Sequence, residues 1–133
     1  MATDFDRQLT LAQLAGDRWS KPGPESTWVY RELHKLRRRP VRQLCPMDLR
    51  ELVTHHVALE FTVPLALEEV EEDPLVEAYM YSGDLLASIL YVDHSFWEDH
   101  ACLRDRVSAV LDQLRDRPYL EDGLIAAAES FPG

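Results

Sequence analysis

The sequence predicts an all-α fold: one domain over residues 1–133, built from six or seven short helices, with residues 1–25 more loosely packed. Two observations lead there. Every long apolar pattern recurs at intervals of three and four residues, the period of one helix face, and none alternates as a half-buried strand would. Prolines and helix-capping residues fall between those patterns, and no internal repeat or low-complexity tract marks a second unit. At 133 residues, 46% hydrophobic and 29% charged, the chain is long enough to bury a core without disulfides or a structural metal.

Taken in order, Thr3-x-x-Asp6 opens a short helix through Leu9, Leu11 and Leu14 that Gly16 closes. Pro22-Gly23-Pro24 interrupts regular structure, so 16–25 reads as a loop with Trp19 tucked onto the core. Ser26 or Thr27 caps a helix reaching about Arg38, with Val29, Leu33 and Leu36 on one face and Arg31, Lys35 and Arg38 on another. The six basic residues between 31 and 42 form either an anion site or, the simpler reading, a solvated face that balances acids elsewhere in the molecule. Pro40 stops that helix. Pro46 suits the first position of the next, PMDLRELVTHH, where Asp48 lies near the positive end of the dipole.

Pro64 is best tolerated in a first turn, which restarts the chain near Thr62 as cap, with Val63, Ala66, Leu67 and Val70 facing inward. Asp73-Pro74 ends this helix, and Leu75 to Ser82 can be extended or loop. Ser82-Gly83-Asp84 then reads as a turn, with Asp84 capping DLLASILYV and Leu85, Leu86, Ile89 and Leu90 in the core. Ser95-x-x-Glu98 has capping-box spacing around an inward Phe96-Trp97. Leu103, Val107, Val110, Leu111 and Leu114 make the cleanest amphipathic helix, which Pro118 ends. A last helix over about 121–131 buries Leu124, Ile125 and Ala128.

The formal charge is −10, which disfavours nucleic acid and anionic membrane surfaces as partners and favours cationic proteins. The charge is unevenly spread. Between Glu51 and Leu103 there are twelve Asp or Glu and no Lys or Arg. Four of those acids crowd positions 69 to 73, at the negative end of the helix dipole, where each is disfavoured by roughly 0.3–1 kcal/mol. Six of the twelve aromatic residues lie in the same window, with Tyr79 and Tyr81 the ones expected at the surface. Carboxylates beside tyrosines suit protein binding, since the rings supply rigid contact area and the acids meet cations. The candidate partner-binding residues are therefore Glu68, Glu69, Glu72, Asp73, Glu77, Tyr79 and Tyr81.

Nothing in the sequence argues for catalysis. The glycines are scattered, and neither a Gly-x-Ser-x-Gly elbow nor a His-Glu-x-x-His helix occurs. His55 and His56 point about 100° apart on a helix and cannot simply share an ion. His94, His100 and Cys102 match no common zinc spacing. No metal, cofactor or catalytic residue is expected. Cys45 and Cys102 read as reduced thiols of a cytoplasmic protein, with one disulfide between them as the alternative; no secretory signal or membrane-spanning run is visible. An acidic adaptor that binds some other cationic protein remains an alternative, as does a small helical enzyme using the carboxylates or the 94–102 cluster.

The run LRRRPVRQLCPMDLRELVTHHVALEFTVPLALEEVEEDPLVEAYMYSGDLLASIL, followed by Phe96-Trp97, resembles a family of bacterial contact-dependent growth inhibition immunity proteins. The resemblance lies in an ordered set: Arg38 to Pro40, the helix start Asp48 to Arg50, Pro64 to Glu68, the step Asp73 to Leu75, the turn Tyr81 to Leu86, and the Phe-Trp pair. It implies a cytoplasmic protein that binds and neutralises the C-terminal domain of a cognate toxin, commonly a nuclease. It supplies no catalytic residues.

Overall fold

The computed structural model of the chain describes residues 4–132. Among them are eight α-helices and no strand: α1 (Leu11–Ala15), α2 (Trp28–Arg37), α3 (Pro46–Thr54), α4 (Leu59–Glu72), α5 (Asp84–Leu90), α6 (His94–Asp99), α7 (Ala101–Gln113) and α8 (Asp122–Ser130). A 3₁₀ turn, Val41–Gln43, links α2 to α3. The all-α expectation holds, with more helices than foreseen because 94–113 breaks at His100 into α6 and α7.

Local chemistry explains most boundaries. Thr10 caps α1 in a reciprocal box with Gln13, and Gly16 closes it in the left-handed region, φ 72°. The helix thus starts later than Asp6 suggested, and Thr3 lies outside the described residues. Thr27 caps α2 by accepting from the Tyr30 N–H, while Ser26 instead accepts from Gly23. Pro46 takes the first position of α3, where Asp48 accepts from the Cys45 N–H.

The entry to α4 differs from expectation. The helix begins at Leu59, so Pro64 lies inside it and Thr62 is not a cap but fully buried. The missing N–H of Pro64 deprives the Glu60 carbonyl of its partner, and Glu60 is exposed, so water can take that place. Chain reversal between α3 and α4 is made by two non-glycine residues in the left-handed region, His56 (φ 57°) and Ala58 (φ 47°). Such positions cost of order 1–3 kcal/mol each. Thr62 helps to hold the turn, its hydroxyl donating to the carbonyls of Val57 at 3.0 Å and Ala58 at 3.3 Å.

The centre of the molecule is α5, six of whose seven residues are buried. A helix apolar on nearly every side must be covered on nearly every side, and α3, α4 and α8 pack against it while α7 covers α4. Val63, Leu67, Val70, Leu85, Leu86, Ile89, Leu90, Val107, Val110 and Leu114 are buried together as expected, and Leu111 is half-buried. In α8 the inward residues are Leu124 and Ala127, with Ile125 exposed. Of the expected Leu124, Ile125 and Ala128, the first is buried and the last packs half-buried on the core, so only Ile125 departs, its place inside taken by Ala127; the Tyr81 ring lies close beside Gly123. Trp97 is fully buried and donates its indole N–H to the Val92 carbonyl. At the other end, Trp19 stacks on Tyr30 and lies under the Arg37 guanidinium, tying the 16–25 loop to α2.

Candidate functional site

The last turns of α4 carry the carboxylates Glu68, Glu69, Glu71 and Glu72, followed by Asp73. Two of them are gripped by arginines from outside the acidic window. Arg7 donates through both terminal nitrogens to Glu68, at 2.9 and 2.7 Å, and Arg106 of α7 forks Glu71 at 2.9 and 2.7 Å. The hydrogen bond from Arg7 holds the Glu68 carboxyl below its ordinary range, and pairing raises Arg7 in return. Both pairs stand about a third or more exposed, so solvent screening limits each to roughly 0–1 kcal/mol.

The basic stretch 31–42 does not balance this cluster. Arg37 pairs with Asp17, Arg39 with Asp48 and Lys35 with Glu32, while Arg31 donates to the carbonyls of Gly23 and Ser26. The reason is position: α2 packs against α3 and α1, whereas α4 meets α7. Among the described residues no cation pairs with Glu69, Glu72, Asp73 or Glu77. Glu72, Asp73 and Glu77 are exposed and Glu69 is half-buried.

Beyond α4 the chain forms a tight loop, closed by an antiparallel bridge between Glu77 and Ser82. Asp84 organises it. The sequence made this residue a cap, but the N-cap of α5 is Gly83, and the Asp84 side chain turns back into the loop. Only 2% exposed, it accepts from the backbone N–H groups of Ala78 at 2.6 Å, Tyr79 at 2.9 Å and Met80 at 2.7 Å. The Arg50 Nε lies 3.5 Å from the same carboxylate. Gly83 is required here, with φ 91° and Leu124 Cδ2 only 2.7 Å from where a Cβ would stand.

The pinned loop turns Tyr79 and Met80 outward and Tyr81 inward. Tyr79 and Met80 are 66% and 64% exposed, with the Arg50 guanidinium 5.8 Å from the Tyr79 ring centre. Tyr81 instead turns toward α8, where its hydroxyl lies 2.5 Å from the position a Cβ on Gly123 would occupy, and burial pushes its pKa up. Tyr81 was expected at the surface; it is half-buried against the core. Of the seven sequence-derived residues, then, Glu69, Glu72 and Asp73 share the end of α4, Glu77 and Tyr79 share the loop, Glu68 is tied to Arg7, and Tyr81 packs inward. Arg50 was missed. It lies one position before the acidic window, and no local pattern links it to Asp84 far along the chain.

The other candidates stay apart. His94 and Cys102 are exposed, while His100 stacks on Phe96 and donates from Nδ1 to the Phe96 carbonyl at 2.8 Å. His55 lies 3.2 Å from Glu51. Ser95 does not cap α6: its hydroxyl donates to Asp93, which stands at the N-cap position. Cys45 and Cys102 are both free and exposed. Among the described residues no group of three His, Cys, Asp or Glu could hold a metal, and no helix is long and apolar enough to cross a membrane.

Against known proteins, a family model described as CDI immunity proteins matches residues 13–107, well over half of the chain. The match runs from α1 into α7 and includes α4, Arg50, Asp84 and the loop they organise. No match was found among curated proteins or solved structures.

Proposed function

The chain belongs to the family of CDI immunity proteins, and from that premise we propose that it binds the C-terminal domain of a cognate, basic toxin, a nuclease, in the cytoplasm of the cell that makes both. The binding face is the end of α4 with the following loop: Glu68, Glu69, Glu72, Asp73 and Glu77, flanked by the exposed Tyr79, with Tyr81 half-buried behind it.

One observation carries this reading. Glu69, Glu72, Asp73 and Glu77 have no cationic partner within the described chain, although three of them stand at or beside the end of a helix whose dipole opposes them. Fold stability gives no reason for that placement. A nuclease does, because its cleft must be basic to hold phosphate, and carboxylates aimed at such a cleft speed encounter and select the partner. Tyr79, exposed on a rigid loop, adds contact area at low entropic cost. The chain acts by occupying a surface, without chemistry of its own.

The test is co-expression with the toxin domain encoded beside it, scoring growth, co-purification and the integrity of cellular nucleic acid. Rescue of growth with a stable complex is expected. A toxin that kills with the chain present at equal level, and that does not co-purify, would end the reading. A toxin that is neutralised yet leaves nucleic acid intact when unopposed would remove the nuclease assignment alone.

A further inference from the structure

Three large apolar side chains that the core does not take up meet in one place. Trp28 at the start of α2, Met47 in the first turn of α3 and Tyr79 on the loop are 70%, 49% and 66% exposed, and they line one groove of about 200 Å³. Each comes from a different element, so no single helix pattern explains their exposure. Isolated exposed apolar residues are ordinary, whereas a cluster with a concave floor and a charged rim marks an interaction site.

The rim states what would fit. Glu32 and Glu51 both line the groove. Glu32 has an exposed Lys35 at 3.5 Å, and Glu51 has His55, which is charged only when protonated, so both keep capacity to accept. Asp48 is committed to Arg39, and the cation in the wall, Arg50, has its charge met by the buried Asp84 at 3.5 Å, although its guanidinium also reaches the Met80 sulfur and stands 5.8 Å from the Tyr79 ring centre. The groove therefore presents aromatic faces and unsaturated carboxylates together, the pairing that holds an ammonium or guanidinium on an apolar stem. The Asp84 hydrogen bonds fix the Tyr79 backbone beforehand, which lowers the cost of ordering on binding. A second copy of this chain is disfavoured as occupant, since each carries a formal charge of −10.

We infer that this groove is a further anchor point for the toxin, sharing Tyr79 with the face at the end of α4 and seating a lysine or arginine side chain of that partner between Trp28 and Tyr79. The inference rests on the immunity reading and extends the contact from the end of α4 across α2 and α3. Recognition then has two parts: carboxylates at the end of α4 that act at a distance, and a groove that acts on contact.

The experiment is titration calorimetry of the full chain with the isolated toxin domain, comparing Trp28→Ala, Tyr79→Ala, Glu32→Gln with Glu51→Gln, and Tyr119→Ala as an equally exposed control away from the groove. Thermal stability and sedimentation are measured on every variant. Trp28→Ala and Tyr79→Ala should each weaken binding about 30-fold, the scale of an interface hot spot, with melting temperatures unchanged and Tyr119→Ala silent. The paired glutamine variant should lose about tenfold at low salt and less at high salt. Wild-type binding with both aromatic variants unaltered would overturn the groove and leave the immunity reading standing; a wild-type chain that does not bind would overturn both. A wild-type dimer abolished by Trp28→Ala, with toxin affinity untouched, would assign the groove to self-association and overturn the inference.

Discussion

Replacing Asp84 by alanine should unfasten the loop that carries Tyr79. The carboxylate accepts three backbone N–H groups and meets Arg50 at 3.5 Å. Alanine leaves all three donors without an acceptor, and an orphaned donor costs about 1–3 kcal/mol when fully buried. Here Ala78 is half-buried, and Tyr79 and Met80 are exposed, so water reaches the loop and the low end applies, for a total of about 3 kcal/mol. Arg50, partly buried, loses its partner and adds about 1 kcal/mol. For a chain of this length the sum of about 4 kcal/mol corresponds to a fall in melting temperature of roughly 10–15 °C. Asp84→Asn keeps an acceptor oxygen but turns an NH₂ toward N–H donors, and should fall between, at about 2 kcal/mol. Urea unfolding gives the energies, and amide hydrogen exchange at 78–80 reports the loop itself. A loss below about 1 kcal/mol for Asp84→Ala, with those amides exchanging no faster than in wild type, would refute the reasoning.

Two further outcomes follow from the carboxylates of α4. Glu69→Lys with Glu72→Lys breaks no ion pair and relieves the dipole, so stability should hold or rise by up to about 1 kcal/mol, while association with the toxin slows and loses salt dependence; a lower melting temperature with intact binding would assign these acids to the fold instead. Glu68 behaves differently because the hydrogen bond from Arg7 holds its carboxyl below the ordinary glutamate range. Its folded value lies below its unfolded one, so its contribution is fully present above the unfolded value and declines as pH falls through the lower folded value. Glu68→Gln should therefore cost less than about 1 kcal/mol at pH 7, and the difference from wild type should shrink in acid; a difference that grows as pH falls would show the sign to be wrong.

What the sequence by itself determined was whatever depends on neighbours within a few residues. Helical period set the class and placed Val63, Leu67, Val70 and Leu86 inside, because a helix face is a local property. Gly16, Thr27, Pro46 and Asp73-Pro74 marked real boundaries, since capping and proline effects act within one turn. The unbalanced acidic window was also legible, composition needing no geometry.

Where distant segments meet, only the tertiary structure decided. Asp84 read as a cap because its own helix offered that role, yet Gly83 occupies the cap and the carboxylate turns back to Ala78, Tyr79 and Met80. Thr62 read as a cap because Pro64 followed it, but a paid-for left-handed turn at His56 and Ala58 moved the start to Leu59. The expected partners of the acidic helix, residues 31–42, gave way to Arg7 and Arg106, because helix packing, not sequence distance, sets which charges approach. The same physics separated Tyr79 from Tyr81: surface candidates two residues apart in one dimension, they part where the buried Asp84 carboxylate pins the backbone of 78–80 and Tyr81 packs beside Gly123 of α8.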